Sequence, residues 1–367
     1  MAQYGGLGGL GGLGGLGGLG GLGGLADAAK FSGLGGFFGQ QDPGGYDPLT
    51  TLGLQTTAEA LRHVTEGERV SETRTLPFSS PKNFDNWAVW VRGSLYVSEF
   101  LGGLSAKTTD AKDRETVTLR IDGEAALTLV RPNAELLDKQ CRFVADYASL
   151  RADRSAEITS QLGFPTPYFS MILGLLPAQH DHTLELVTAT QVAAAHAAMV
   201  VKHHLAVRRP DKMDPRLMPM IPTPGHGSFP SAHATEAYAV ATVLIALIDA
   251  WKTPGNLPAR TRALRALAER IAVNRTVAGV HYPIDSWAGA ALGTQVGQAV
   301  LARCGTGATL SPLTLDATDV DFYDADFLDP AAAKKAGLTG GGADVSPART
   351  DAFAWLWGKA KCEGLPA

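Results

Sequence analysis

From residue 133 onward, apolar positions recur every three to four residues and the runs break at prolines and glycines, which is the pattern of amphipathic helices. Residues 133–162 are rich in helix formers and run up to Pro165 and Pro167, so they predict one long helix. A second apolar segment covers 168–176. A third covers 183–208, and its alanine-rich middle suits close helix packing. Residues 231–251, 259–274 and 284–302 continue the series. Near the end, 351–361 carries Phe353, Trp355 and Trp357, which predicts a helix docked on the rest.

Upstream the pattern is less regular. Residues 52–64 predict a helix, and 77–104 place Trp87, Trp90, Tyr96 and Phe100 at helix-like spacings, as a core-forming aromatic cluster. Residues 115–123 alternate Val117, Leu119 and Ile121 before Asp122-Gly123, so a short strand and a local hairpin are expected there. The fold class expected is mainly α, a helical bundle. It divides into a Gly-rich segment (1–45), an N-terminal helical part (46–175), a core that holds the candidate chemistry (176–305) and a C-terminal loop with its docking helix (306–367).

Residues 5–25 are seven copies of Gly-Gly-Leu. So much glycine disfavours any single conformation. In a polyproline-II helix, however, a period of three puts every leucine on one ridge, so the repeats also suit self-association. The chain has 367 residues, 45% hydrophobic, enough for one substantial core. Its net charge of −4 gives no basic field for nucleic acid. Cys141, Cys304 and Cys362 form no paired spacing, which suggests a reducing compartment. No basic n-region precedes a continuous apolar stretch. The longest mostly apolar run, residues 237–251, includes Asp249 and falls short of the roughly 20 residues that span a bilayer. The expectation is a cytoplasmic protein with no signal peptide and no transmembrane segment. Asp316, Asp319, Asp321, Asp324, Asp326 and Asp329 crowd together, but the stretch 319–329 lacks the turn glycine of a calcium loop, so no metal is expected there.

Chemistry concentrates between Lys202 and Asp285. Lys202 and Arg209 lie seven apart, nearly two helical turns, and so project from one face if the helix continues through both. Ser231 follows Pro230 at the head of an apolar run, where it suits the N-cap, with the Ala232 and His233 N–H groups aimed outward at an anion. Arg275 adds a planar fork for paired oxo groups. His281 offers a neutral imidazole nitrogen to attack or coordinate a central atom, and Asp285, four residues on, holds its other nitrogen if Pro283 opens a helix. His233 then serves as proton donor or acceptor opposite.

The three blocks, Lys202 to Arg209-Pro210, Pro230-Ser231-Ala232-His233 and Arg275 to His281 to Asp285, resemble the signature of the type 2 phosphatidic acid phosphatase (PAP2) and vanadium haloperoxidase superfamily, KX6RP, PSGH and SRX5HX3D. Ala232 stands where the family usually has Gly, and Asn274 where it usually has Ser. The resemblance implies a mainly helical fold and an oxyanion pocket that runs one of two reactions. In a phosphatase, with no cofactor, His281 attacks the phosphorus of a phosphate ester and His233 protonates the leaving oxygen. In a haloperoxidase, His281 is the sole protein ligand of vanadate, and peroxide oxidises halide. His226, seven before His233, resembles the second pocket histidine of the bromoperoxidase branch, and on this ground the haloperoxidase, with bromide favoured, is the expectation and the phosphatase the alternative. A further alternative is an assembly or scaffold protein organised by the Gly-Gly-Leu repeats.

Overall fold

The computed structural model describes residues 48–64, 76–111, 114–252, 256–322 and 327–364. The chain is mainly α, as expected. It opens with helices α1 (Pro48–Val64) and α2 (Val89–Gly102), followed by strands β1 (Leu104–Ala111), β2 (Arg114–Ile121) and β3 (Glu124–Val130). Helices α3 (Ala134–Tyr147), α4 (Arg151–Ser160) and α5 (Thr166–Leu173) lead into the long α6 (Asp181–Leu205) and the short α7 (Pro210–Met213). Then come α8 (Ala232–Ala250), α9 (Leu257–Val277) and α10 (Pro283–Arg303). Strand β4 (Leu313–Leu315), α11 (Pro330–Lys335), β5 (Leu338–Gly340) and α12 (Asp351–Lys361) close the fold.

Helix α8 is the hub, packed on α6, α9 and α10. It is apolar nearly all round, as a central helix must be. Its approach to α10 is set by glycines four residues apart. A Cβ on Gly289 would sit 2.6 Å from the Ser231 carbonyl, and one on Gly293 only 2.3 Å from the Thr235 carbonyl. Those missing methyls bring the two helices together at their N-terminal ends, where the Ser231 N–H donates to the Asp285 carbonyl at 2.8 Å.

The sheet runs β1-β2-β3-β4-β5. The expected hairpin is there: Asp122 and Gly123, at φ 51° and 85°, turn β2 into β3. Val117, Leu119 and Ile121 point inward to the core. The parallel pairing of β3 with β4 and the antiparallel β4–β5 pair were not legible, because three-residue strands carry too little alternation and their partners are remote in sequence. Phe353 and Trp357 on α12 are buried, so that helix does dock on the bundle. Its end is latched to the start of α6, where Glu363 accepts from the N–H groups of His182 and Thr183, each at 2.8 Å.

Three expectations are corrected. Residues 133–162 are not one helix: a 3-10 turn over Ala148–Leu150 interrupts it, and beyond the interruption Arg154 and Gln161 meet Asn274 of α9. The helix through Lys202 stops at Leu205, where Ala206 turns left-handed at φ 48°. Pro210 holds Arg209 in extended backbone, at ψ 160°, because a residue before proline is pushed out of the α region. Lys202 and Arg209 therefore do not share a helix face. The apolar segments are also longer than the 237–251 run suggested. The span Asp181–Met213, which holds α6 and α7, and the helix Ala232–Ala250 are long and apolar enough to cross a membrane, with 83% and 72% of their most apolar windows buried inside the protein.

The Gly-Gly-Leu repeats lie outside the described residues, as do Asp324 and Asp326. Asp319 and Asp321 bind side chains of the bundle: Asp319 accepts from Gln140 and Arg142, and Asp321 from Tyr147 at 2.6 Å. No cluster of metal-ligating side chains occurs among the described residues. Cys141 and Cys304 are buried free thiols, and Cys362 is an exposed one.

Replacing Gly293 by alanine forces the added methyl against backbone, so it is expected to lower unfolding free energy by about 1–3 kcal/mol. Urea denaturation checks this, and an unchanged midpoint would show that α8 and α10 are not tightly apposed.

Candidate active site

The candidate site residues are carried by the N-terminal ends of α8 and α10, the C-terminal ends of α6 and α9 and the loops between them; Lys202, Ser231 and Asp285 stand behind the cavity lining. The cavity there measures about 20 Å³, and Arg209, His226, Ala232, His233, Arg275 and His281 line it. Leu162, Ile221, Pro224 and Val280 supply apolar wall.

Lys202, on the last turn of α6, donates from Nζ to the carbonyls of Gly227 and Ser228, both at 2.7 Å. Arg209 enters from the extended loop instead. Its Nε donates to the His226 carbonyl at 3.0 Å, and Nη1 to the Val280 carbonyl at 2.8 Å and to His281 Nε2 at 3.3 Å. Its Nη2 reaches His226 Nδ1 at 3.2 Å. His226 is thus a wall residue that braces Arg209. Arg275, on the last turn of α9, donates to the carbonyls of Ile158 and Gln161 and to the Gln161 side chain, while its buried Nε has no hydrogen-bond partner. All three cations are 3% exposed or less. Burial lowers the pKa of each, Arg209 and Arg275 to about 10 and Lys202 well below its ordinary value, with Arg209 adding to the effect on Lys202.

Ser231 is the N-cap of α8, and its Oγ accepts from the Ala234 N–H at 3.4 Å. The first intrahelical bond is Thr235 N–H to the Ser231 carbonyl, so the N–H groups of Ala232 and His233 precede the helical ladder. Free N–H groups at a helix start are the kind of end that suits an anion. Pro283 does open α10, and His281 Nδ1 lies 2.7 Å from Asp285 Oδ2. Since Arg209 can only donate to Nε2, the imidazole carries its proton on Nδ1 and gives it to Asp285. Burial, then Arg209 and Lys202, hold the His281 pKa well below its ordinary value, and burial raises the Asp285 carboxyl to about 6. At neutral pH the pair is therefore a carboxylate and a neutral imidazole, with an unprotonated Nε2 facing the cavity's cations. His233 puts Nε2 2.9 Å from the Gln161 carbonyl. A carbonyl can only accept, so this nitrogen carries the proton and Nδ1 is left with a lone pair. Burial and then Arg275 depress the His233 pKa to about 3.

Two supporting residues were missed. Ser228 Oγ donates a short hydrogen bond to Asp285 Oδ2, alongside the Tyr282 N–H at 3.1 Å. Its place three residues before Ser231 was a usable signal. Gln161 meets His233, Arg275 and Asn274 at once, and nothing in the local sequence pointed to it. Asn274, where the family usually has Ser, uses its larger side chain to bridge Arg154, Glu157 and Gln161, tying α9 to α4.

With this geometry in view, comparison with known proteins gives a consistent answer. The PAP2 superfamily profile matches residues 184–305. Over 130 residues, 35% of this chain, the sequence is 35% identical to the Mycobacterium tuberculosis protein named decaprenylphosphoryl-5-phosphoribose phosphatase. It covers 66% of that relative's length, just under two thirds. A Mycolicibacterium smegmatis protein of the same name is 41% identical over 91 residues, 25% of this chain and 44% of that protein. Two expectations fall here. The haloperoxidase reading, and with it vanadate, peroxide and bromide, is overturned because these relatives are named as phosphatases. The one residue that favoured it, His226, is occupied with Arg209. A cytoplasmic location is overturned as well, by relatives named for a decaprenyl-linked substrate and by two helices of membrane-spanning length and apolarity.

Because His233 is buried neutral, with its folded pKa below the unfolded value of about 6.5, its contribution to stability is complete above pH 6.5. It is lost as pH falls toward 3. At pH 5 the loss is about 2 kcal/mol. His233→Gln should therefore lose less unfolding free energy than the parent between pH 7 and pH 5 in urea titrations. Equal losses would refute the buried neutral state.

Proposed function

We propose, for a chain that carries a PAP2 superfamily domain over residues 184–305, that it is a phosphatase that hydrolyses phosphomonoesters through a phosphohistidine at His281. The observation that carries this reading is the arrangement of His281: Nδ1–H committed to Asp285 at 2.7 Å and an unprotonated Nε2 that accepts from Arg209 Nη1 at 3.3 Å. That is a nucleophile with its tautomer set and with cations beside the place where negative charge gathers.

In the first half-reaction Lys202, Arg209 and Arg275, with the Ser231 hydroxyl and the Ala232 and His233 N–H groups, hold the non-bridging phosphoryl oxygens. His281 Nε2 attacks phosphorus along the line opposite the ester oxygen, and the P–O bond to the alcohol breaks. His233 is neutral before substrate enters, so the proton it delivers arrives on the substrate. A phosphomonoester monoanion passes its proton to His233 Nδ1, which returns it to the departing oxygen. The alcohol leaves, and His281 carries the phosphoryl group. In the second half, neutral His233 takes a proton from water, hydroxide forms the new P–O bond, the P–N bond breaks, and His233 passes that proton to the phosphate, which departs as the monoanion with both histidines restored. Asp285 stabilises the positive charge on the phosphorylated imidazole throughout.

The relatives' names support a lipid-linked phosphomonoester as the substrate class and a membrane-associated setting. Local chemistry agrees: Leu162, Ile221 and Pro224 form apolar wall, and Met218, three residues before Ile221, is 74% exposed. An apolar alcohol is compatible with that wall.

His281→Ala is expected to reduce hydrolysis of p-nitrophenyl phosphate by at least about a thousandfold, since the nucleophile is gone. Retained activity would sink the assignment. Because the reactive substrate is the monoanion, kcat/KM should fall about tenfold per pH unit above the phosphate's second ionisation, near pH 6. A kcat/KM that climbs from pH 6 to 8 would contradict the proton route through His233.

A further inference from the structure

One buried acid near the pocket takes no part in the chemistry above. Glu236 sits on α8 three residues after His233 and is 1% exposed. Across from it on α6, Gln191 is also 1% exposed, and its Nε2 donates to Glu236 Oε2 at 2.9 Å. The two remaining oxygens, Glu236 Oε1 and Gln191 Oε1, are both buried and have no hydrogen-bond partner. A carboxylate cannot relieve this, because it only accepts, and neither can the amide oxygen. One proton relieves both. A carboxylic acid at Glu236 donates its O–H to Gln191 Oε1, while the amide N–H continues to donate to the acid's other oxygen. The result is a closed acid–amide ring in which both buried polar groups are satisfied.

The position of the pair gives the proton a consequence. Lys202 lies eleven residues beyond Gln191 on the same helix, and its charge is felt at Glu236. An ionised Glu236 would compete with a bound anion for that charge. Burial, the largest influence on Glu236, favours the neutral form over the opposing pull of Gln191 and Lys202.

We propose that Glu236 is a neutral carboxylic acid paired with the Gln191 carboxamide. It acts as a positioning residue that joins α6 to α8 under the pocket while leaving the charge of Lys202 to the bound oxyanion. The second half of this statement rests on the oxyanion-site reading above, and the first half does not.

The test uses the full chain with carbon-13 carboxyl-labelled glutamate, which separates Glu236 from the Asp285 carboxyl. Infrared difference spectra of wild type against Glu236→Gln at neutral pH should show a carboxylic-acid carbonyl band that the variant lacks. Inhibition by inorganic phosphate should change by less than about twofold, since a neutral group replaces a neutral group. Two results would overturn the proposal: a labelled spectrum without an acid band, or a phosphate Ki at least about tenfold lower in Glu236→Gln, which would mean that a negative charge had been removed from beside Lys202. Should Glu236→Gln fail to fold, Gln191→Leu serves instead. The acid band must then move to higher frequency as the acid loses its amide partner, and an unmoved band refutes the pairing. The band is read without any turnover, so a protein that shows it yet hydrolyses no phosphate ester would overturn the phosphatase reading and leave the protonation intact.

Discussion

Three cations are buried together and held by carbonyl oxygens, with the Arg275 Nε left unpartnered, and the rest of the site depends on that arrangement. Lys202 is held by Gly227 and Ser228, Arg209 by His226 and Val280, and Arg275 by Ile158 and Gln161. Carbonyl dipoles meet the hydrogen-bonding needs of a buried ammonium or guanidinium, but they do not neutralise it. Asp285, the carboxylate closest to the chemistry, is spent on His281, Ser228 and Tyr282. What remains is a positive charge whose best partner is an anion brought from outside.

That arrangement dictates much of the backbone. Apart from Val280, the carbonyls that grip Lys202 and Arg209 come from one short stretch, His226 to Ser228, which passes the end of α6. Gly227 leaves room for this, since a Cβ there would come within 3.3 Å of the Lys202 carbonyl. The same stretch then delivers Ser228 to Asp285 and Ser231 to the head of α8. Close packing of α8 on α10 through Gly289 and Gly293 fixes the distance between the N-terminal end of α8 and His281, just ahead of α10. Packing and the candidate site meet in the same few residues.

The protons follow from the same field. Cations and burial together keep both histidines neutral, one with its proton on Nδ1 and the other with its proton on Nε2, and each tautomer is set by a single acceptor: Asp285 for His281, the Gln161 carbonyl for His233. A site so positive cannot store a proton on its own histidine. In the proposed reaction it takes one from the substrate, which would couple the ionisation of a phosphate group to the rate.

Much of the site was legible because its signals are local. The Pro283 start of α10 and the four-residue step from His281 to Asp285 determine the dyad. Pro230 and Ser231 ahead of an apolar run determine the cap of α8, and helical periodicity gave the positions of α6, α9 and α12. The choice between two chemistries was not local, and a single loop histidine was a poor guide to it, because the partners His226 meets, Arg209 among them, depend on a loop path that periodicity does not encode. The same limit hid the left-handed turn at Ala206, the break at Ala148–Leu150, the support from Gln161, and the pairing of β4 and β5. In sequence, Gln161 is 72 residues from His233 and 114 from Arg275. Only the packing of α4 against α9 decides that its one carbonyl and one amide serve them both. By itself the sequence determined which residue types would be buried together and at what helical phase. The tertiary structure decided which carbonyls they meet, and therefore which charges and protons remain for chemistry.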